Sequence, residues 1–308
     1  MNDPRVTTII LTKNEERHLR RAIASVAADS DSVIVLDSGS TDATEAIARE
    51  MGARFETNPW VNHAAQFNHG LRLVDKDAEW VLRLDADEIL EKGWYRRFAE
   101  QLADRPGAAG FTFTRTMTFR GKPIRRGLAR TRQLRLFRAG LGRCEARWMD
   151  EHIVVDGPVA KLDIELLDDN LNDLAWWTDK HQAYANREAI ELLLNERREE
   201  STGLTMTRQA RIKRWIKDRI YRRLPSGLRA LAFFLLRYVF ALGFLDGRRG
   251  FQFHVLQGFW YRLYVDIRIE EIEALMRREG IDLPAAIRSV TGIAVGQVDD
   301  VAKRPRTP

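Results

Sequence analysis

"WVLRLDADEIL" (80–90) decides the fold. It opens as a mostly apolar run and ends in Asp85-Ala86-Asp87-Glu88. A short apolar run bounded by polar residues reads as a buried strand. Three carboxylates within four positions repel one another, so something must compensate them at the mouth of that strand. Asp85 and Asp87 stand two residues apart, and in an extended segment they face the same way. Hard carboxylate oxygens at that spacing suit Mg²⁺ or Mn²⁺, ions usually shared with substrate phosphates. The plainer alternative is a solvated acidic turn.

Upstream, strand-like and helix-like segments alternate. "VTTIIL" (6–11) and "SVIVLD" (32–37) read as strands, and "ARFETN" (53–58) as another. Between them, "EERHLRRAIASVAAD" places Leu19, Ala22, Ile23, Val26 and Ala27 on one helical face. "SGSTDATEAIAREMG" holds a turn, a cap, an apolar stripe and Gly52 as a stop. "HAAQFNHGLRLV" is a short helix. Strands separated by such helices indicate βαβ units and a parallel sheet, an α/β fold. Ligands of open parallel sheets bind beyond the carboxyl ends of the strands. Two strands end there in Asp37 and Asp85, and the lack of a G-x-G-x-x-G turn argues against a dinucleotide.

Downstream the pattern changes. "AGFTFTRTMTF" (109–119) and "QLRLFR" (133–138) read as neighbouring strands, and 175–200 as one long helix. The net charge is +6, but residues 206–308 carry 20 lysines and arginines against 10 acids. That basic third points to an anionic partner. Within it, residues 208–229 hold nine basic residues and one acid, with Ile212, Trp215, Ile216, Ile220 and Tyr221 at helical spacing. "ALAFFLLRYVFALGFL" (230–245) follows, 16 residues with Arg237 in the middle. A spanning helix needs roughly 20 apolar residues, so this run reads as interfacial or buried. No helix-turn-helix, RRM or zinc signature supports a nucleic-acid partner. The single cysteine, Cys144, and a start without a signal-peptide pattern fit a cytoplasmic protein.

The motifs together resemble a known family. "TTIILTKNEERHLRRAIASV", "VIVLDSGSTDAT", "AAQFNHGL" and "WVLRLDADE" fall in the order of family 2 glycosyltransferases, whose fold is GT-A, a Rossmann-like mixed sheet flanked by helices. "WMDEHI", "DLAWWTDKHQAYANREA" and "GFLDGRRGFQFHVLQGFWYRLYVDIRIEE" resemble a narrower group, the bacterial lipopolysaccharide-core and surface-polysaccharide β-glucosyltransferases. The resemblance implies that Thr12, Asn14 and Glu15 lie beside the nucleotide and that Asp37 contacts uracil or ribose. Gln66 and Asn68 would lie near the donor, Asp85 would face ribose and donor sugar, and Asp87 would hold the divalent cation, Mn²⁺ or Mg²⁺. Asn14 could instead cap the first helix, and Gln66 and Asn68 could be ordinary polar helix residues.

Inverting transfer needs one general base on the acceptor side. The resemblance puts it in "WMDEH" (148–152), at Asp150 or Glu151. Relatives commonly carry Glu-Asp where this chain has Asp-Glu, which leaves the two open. His152 is either a metal ligand or a hydrogen-bond partner of the acidic pair. The arginine-rich run 120–138, with Arg126 and Arg132, is either a basic loop over the diphosphate or a set of solvated strand-edge charges. Trp176 and Lys180 on the long helix are candidate acceptor contacts, core packing being the alternative for the tryptophans.

The expectation is therefore a catalytic domain over 1–205, a basic amphipathic membrane-associating region over 206–295 and a disordered tail over 296–308. The expected activity moves one hexose, glucose from UDP-glucose by the resemblance, onto a lipid-linked saccharide at the cytoplasmic face of a bacterial inner membrane. The partners are the UDP-hexose, that acceptor and an anionic membrane surface. The rivals are a nucleotidyltransferase acting on a sugar phosphate and a non-catalytic membrane scaffold that has kept the fold.

Overall fold

β1 (Val6–Thr12) is the axis of the first unit. Its β-branched run cannot face water on either side. Ile10 packs with α1 (Leu19–Val26) on one face, and Ile9 packs with α3 (His63–Arg72) on the other. The computed structural model describes residues 3–145, 152–202 and 225–294. The chain divides into two compact units, residues 1–171 and 172–308. The boundary expected at 205 falls inside the second of them.

In the first unit, β1 pairs in parallel with β2 (Ser32–Asp37) and with β4 (Trp80–Asp85), and β3 (Arg54–Thr57) adds to β2. α2 (Thr44–Glu50) and α3 supply the crossovers. The sheet then turns mixed. β8 (Thr131–Arg138) inserts antiparallel between β4 and β6 (Gly110–Phe119), and β11 (Val159–Asp168) runs parallel to β6. β5 (Glu88–Leu90) pairs antiparallel with the end of β11. β7 (Lys122–Pro123) pairs with β6, while β9 (Gly142–Cys144) and β10 (Ile153–Val155) form a separate ladder. This mixed curled sheet flanked by helices is a GT-A-type fold.

The larger core lies on one face, where Trp80, Phe111 and Phe98 of α4 (Trp94–Asp104) meet edge to face or tilted. The opposite face is thinner, with Phe67 of α3 packed edge-on to Phe137. Truncating a buried aromatic such as Phe67 to alanine costs about 3–5 kcal/mol. The expected α1 face holds at Leu19, Ala22, Ile23 and Val26, while Ala27 is exposed, because the helix ends at Val26.

The second unit is helical. α5 (Leu174–Thr202) packs Ala185 and Ala189 against Tyr261 and Val265 of α8 (Tyr261–Glu279). α9 (Leu283–Thr291) closes this layer with Leu283, Ala286 and Ile287. It is capped by the Asp282 carboxylate, which accepts from the Ala285 amide at 2.9 Å. α6 (Ser226–Leu235) continues through a π-turn at Leu236–Phe240. A 3₁₀ turn at Gly243–Asp246, α7 (Gly247–Phe253) and a second π-turn at His254–Trp260 lead into α8. Among the described residues no single helix is long and apolar enough to cross a membrane. The helical stretches Gly227–Phe240 and Gly243–Glu279 pass that test only as a pair, bent by 71°.

Candidate active site

The carboxyl ends of three neighbouring strands form one edge. Thr12 of β1 lies in register with Asp37 of β2, and Leu11 with Asp85 of β4. Asp37 is 1% exposed, and its carboxylate is saturated. It accepts from the amides of Gly39 (2.7 Å) and Ser40 (2.6 Å) and from the hydroxyls of Ser40 (2.5 Å) and Thr12 (3.0 Å). The small-residue turn "SGS" is thus wound around its own aspartate. Gly39 sits at φ +91°, a conformation that glycine adopts without steric cost.

A second loop locks onto the first. The Asn14 amide donates to the Ser40 hydroxyl (2.7 Å), and the Asn14 side-chain oxygen accepts from the Thr41 amide (2.9 Å). Asn14 itself holds φ 55°, the left-handed region where asparagine is tolerated. The Glu15 amide donates to the Thr44 hydroxyl (2.8 Å), and the Glu15 carboxylate meets Nδ1 of buried His18 at 2.6 Å. His18 Nε2 accepts from the Leu171 amide (2.9 Å). Neutral His18 therefore carries its proton on Nδ1 and donates to Glu15.

Gln66 is fully buried. It accepts from the Asn58 amide group (2.8 Å) and donates to the carbonyls of Asp37 and Asn58 (3.4 Å each), tying the ends of β2 and β3 to α3. Asn68, one half-turn on, uses both ends of its amide on the Cys144 backbone at 2.9 Å each. It joins α3 to β9.

The acidic motif is held by arginines. Arg135 of β8 donates through Nη2 to Asp85 (3.2 Å) and to Glu88 (2.5 Å), and Arg83 reaches Asp85 at 3.4 Å. Glu88 also accepts from the Asp85 amide (3.0 Å). Arg115 of β6 bridges Glu88 (3.5 Å) and Asp168, the residue that pairs with Glu88 across β5 and β11. Burial alone would raise the Asp85 carboxyl, but Arg135 and Arg83 hold it well below the usual carboxylate range. Burial, with Asp85 and Asp168 nearby, pushes Glu88 up to about 8 despite Arg135.

Asp87 stands apart from this network. One of its oxygens accepts from the Asn170 side chain (3.0 Å), and its carbonyl accepts from the Asp169 amide (2.8 Å). Asp169 in turn takes Arg21 (2.6 Å) and the Thr118 hydroxyl. The short segment Asp168–Asn170 thus seats the loop that carries Asp87.

Arg126 and Arg132 are exposed, the first in the turn before β8 and the second on that strand. His152 is exposed, and its carbonyl accepts from the Glu145 amide (2.9 Å). Asp150 and Glu151 lie outside the described residues. Trp176 and Lys180 belong to α5 in the second unit, with the Lys180 ammonium 4.6 Å from the Trp176 ring centroid.

Residues 7–149 match the model of the family Glycosyl transferase family 2. An uncharacterised glycosyltransferase of Rickettsia conorii is 44% identical over 88 residues, 29% of this chain and 30% of that protein. A TPR repeat-containing protein of Synechococcus elongatus is 37% identical over 118 residues, 38% of this chain and 28% of its own. The chain spans about 30% of the length of the curated relatives it matches. Among solved structures, glucosyl-3-phosphoglycerate synthase from Mycobacterium tuberculosis, in complex with Mn²⁺, UDP and glucosyl-3-phosphoglycerate, is 24% identical. That alignment covers 36% of this chain and 44% of that one at a TM-score of 0.33, which is too partial to transfer any residue.

Thr12, Asp37, Asp85 and Asp87 fall inside 7–149, the stretch that matches the family model, whereas Asp168–Asn170 lie beyond it. A divalent cation fits Asp87 better than Asp85. Asp85 has both oxygens engaged by guanidinium groups, whereas Asp87 has one oxygen beyond its Asn170 contact. Among the described residues no three His, Cys, Asp or Glu side chains converge on one point. An ion held here would draw its remaining ligands from phosphate oxygens and water, the usual habit of Mg²⁺.

Two participants escaped the sequence reading, Arg135 and Asn170, and Glu88 was read only as one of three crowded carboxylates, with no role of its own. Arg135 sat in a run of arginines with nothing to separate it from Arg126 and Arg132. The signal available was the apolar setting of the second half of β8. Arg135 belongs to the buried end of that strand, "RLF", between apolar neighbours.

Proposed function

We propose that this chain is an inverting glycosyltransferase that moves one hexose, glucose from UDP-glucose, onto a lipid-linked saccharide such as a lipopolysaccharide core or a surface-polysaccharide precursor. The observation that carries the reading is the juxtaposition of Thr12, Asp37 and Asp85 on adjacent parallel strand ends, within the segment that matches the family. UDP-glucose and the lipid-linked acceptor rest on the resemblance of the motifs. The acceptor class and an anionic membrane surface also fit the basic third of the chain, and the reading seats the enzyme on the cytoplasmic face of the inner membrane.

The turn built on Asp37 and locked by Asn14 is a rigid rim for the nucleoside, because its polar groups are already aligned by one another. Asp85, kept ionised by Arg135 and Arg83, faces the donor as an acceptor for sugar or ribose hydroxyls. Asp87 would hold a divalent cation, which when bound neutralises charge on the diphosphate. The acceptor hydroxyl gives its proton to the carboxylate of Asp150 or Glu151. Its oxygen bonds to the anomeric carbon from the face opposite the diphosphate, and the bond from that carbon to the diphosphate oxygen breaks, releasing UDP with the electron pair. One displacement inverts the centre.

The test is a thermal-shift panel of UDP-, GDP- and dTDP-sugars with and without Mn²⁺. Stabilisation that needs both a UDP-sugar and the metal is the expected result. Equal responses to all nucleotides, or none to any, defeat the donor assignment. Pyrophosphate release from a nucleoside triphosphate would replace it with nucleotidyl transfer.

A further inference from the structure

The exposed apolar surface of this protein is concentrated in one place. Ten of the twenty exposed large hydrophobic side chains among the described residues lie between Leu228 and Phe251, around the bend that joins α6 to α7. The most prominent are Phe240, 77% exposed, and Leu245, 56%. Leu231, Leu235, Val239 and Phe251 extend the same surface. Isolated exposed leucines need no explanation, but a contiguous set of this size marks a contact surface.

The one charge in the apolar run turns inward. Arg237 is buried between the rings of Phe233 (5.7 Å) and Phe253 (5.6 Å), so its charge is kept off the outer surface of the bend. Close packing beneath the bend keeps the apolar side chains outside. Gly243 lies so close to His254 that a Cβ would come within 2.6 Å of Nε2. The backbone of the bend is thus packed against His254 with no room for a side chain on that side.

We infer that this bent hairpin, Leu228–Phe251, enters one leaflet of an anionic phospholipid membrane. Three observations select lipid over other occupants. The arm Gly227–Phe240 is about 21 Å long at helical rise, short of a bilayer's roughly 30 Å core, and a 71° bend follows it, so the hairpin dips and returns. Arg248 and Arg249 flank the apolar surface, where they meet phosphate headgroups. The sequence immediately before the hairpin, residues 208–229, holds nine basic residues and one acid. Apolar insertion beside a basic girdle is the arrangement of interfacial helices. The inference deepens the proposed function, on which it rests for the lipid-linked acceptor: the hairpin brings the enzyme to the surface where such an acceptor is anchored.

The experiment uses the full chain and vesicles of phosphatidylcholine with or without phosphatidylglycerol. Cys144 is buried, so a Phe240→Cys variant takes an NBD fluorophore at one exposed site. Its emission is expected to rise and shift to the blue only with phosphatidylglycerol vesicles. Phe240→Asp with Leu245→Asp, both at exposed positions, should lower vesicle partitioning at least tenfold while the melting temperature stays unchanged. Unchanged NBD emission on vesicles that bind the protein, or unchanged partitioning of the double variant, overturns the inference. So does a lipid-free dimer, seen by sedimentation, that the double variant dissolves, since a second copy would then be the occupant. UDP–Mn²⁺ stabilisation is measured on the same samples. Its loss with vesicle binding intact defeats the donor reading alone, and its persistence with vesicle binding absent defeats the hairpin alone.

Discussion

Arg135 reaches Glu88 at 2.5 Å and Asp85 at 3.2 Å through a single nitrogen, Nη2. One guanidinium from the antiparallel strand β8 thereby fixes both the end of β4 and the start of β5, and with them the loop that presents Asp87. Above about pH 8, where Glu88 is ionised, removing one partner of this buried pair leaves the other uncompensated, at a cost of about 3–5 kcal/mol. Arg135→Met is expected to lose that much in urea unfolding. Combining it with Glu88→Leu should recover part of the loss, since the pair is then replaced by apolar bulk. A double variant no more stable than Arg135→Met would refute the coupling.

The two acids on Arg135 titrate in opposite senses. Glu88 binds its proton more tightly when folded, at about 8, than the roughly 4.3 of an unfolded glutamate. Its contribution to stability is complete below the unfolded value and is lost as the pH rises through about 8. Asp85 is depressed, so its contribution is present above about 3.9 and is lost only as the pH falls further. Glu88→Gln should therefore flatten the melting temperature against pH between the unfolded glutamate value and about 8. A slope identical to that of the parent chain would mean that Glu88 is ionised throughout.

Asp87→Ala separates chemistry from folding. Asp87 is half-buried and has one side-chain partner, Asn170 at 3.0 Å, so the substitution costs about 1 kcal/mol. On the proposed metal role, losing this carboxylate removes several kcal/mol of charge stabilisation, and transfer should fall by at least about a hundredfold. The Mn²⁺-dependent part of the thermal shift should vanish with it. Full turnover in this variant would remove the metal role.

The parallel half of the sheet was legible because its strands are short, β-branched and separated by amphipathic helices. β1, β2, β3 and β4 lie where "VTTIIL", "SVIVLD", "ARFETN" and "EWVLRL" placed them, and the edge at Thr12, Asp37 and Asp85 follows from that register. The other half was harder. β11 alternates in burial over ten residues directly after a turn signal, Asp156-Gly157-Pro158, but its outward positions include Lys161 and Asp163 and the strand was passed over. With β11 unread, the segment Asp168–Asn170 beside Asp87 had no reason to be noticed. Asn68, which the resemblance put near the donor, has its amide engaged by the Cys144 backbone. A side chain's partner can lie 76 residues away, and no local pattern reports it.

Asp37→Ala should damage the proposed nucleotide rim and the fold together. Four donors converge on its carboxylate, two of them backbone amides of a turn that Asn14 also holds through Ser40 and Thr41. Hydrogen bonds to a charged group contribute about 1.5–3 kcal/mol each, and the partly solvated hydroxyls would recover some of that through water. The expected loss is about 3 kcal/mol in denaturant unfolding, with UDP-dependent stabilisation reduced more than that deficit explains. Asp37→Asn keeps the shape and one accepting oxygen and should fall between the two.

Gly243→Ala tests the packing that supports the bend. The added methyl would meet His254 Nε2 at 2.6 Å, His254 Cδ2 at 2.7 Å and the Arg237 carbonyl at 2.8 Å. Neither the buried ring nor the backbone carbonyl can yield cheaply, and overpacking of this kind costs about 1–3 kcal/mol. His254 has no hydrogen-bond partner on either ring nitrogen, and burial beside Arg237 lowers it to about 4. It is therefore neutral above the unfolded histidine value of about 6.5, and its contribution is lost as the pH falls from there through about 4. The variant should unfold its helical unit at lower temperature, and more so in acid, while UDP–Mn²⁺ stabilisation of residues 1–171 persists. Calorimetry resolves the two: a wild-type melting profile for Gly243→Ala would show that the backbone at 243 is not held against His254.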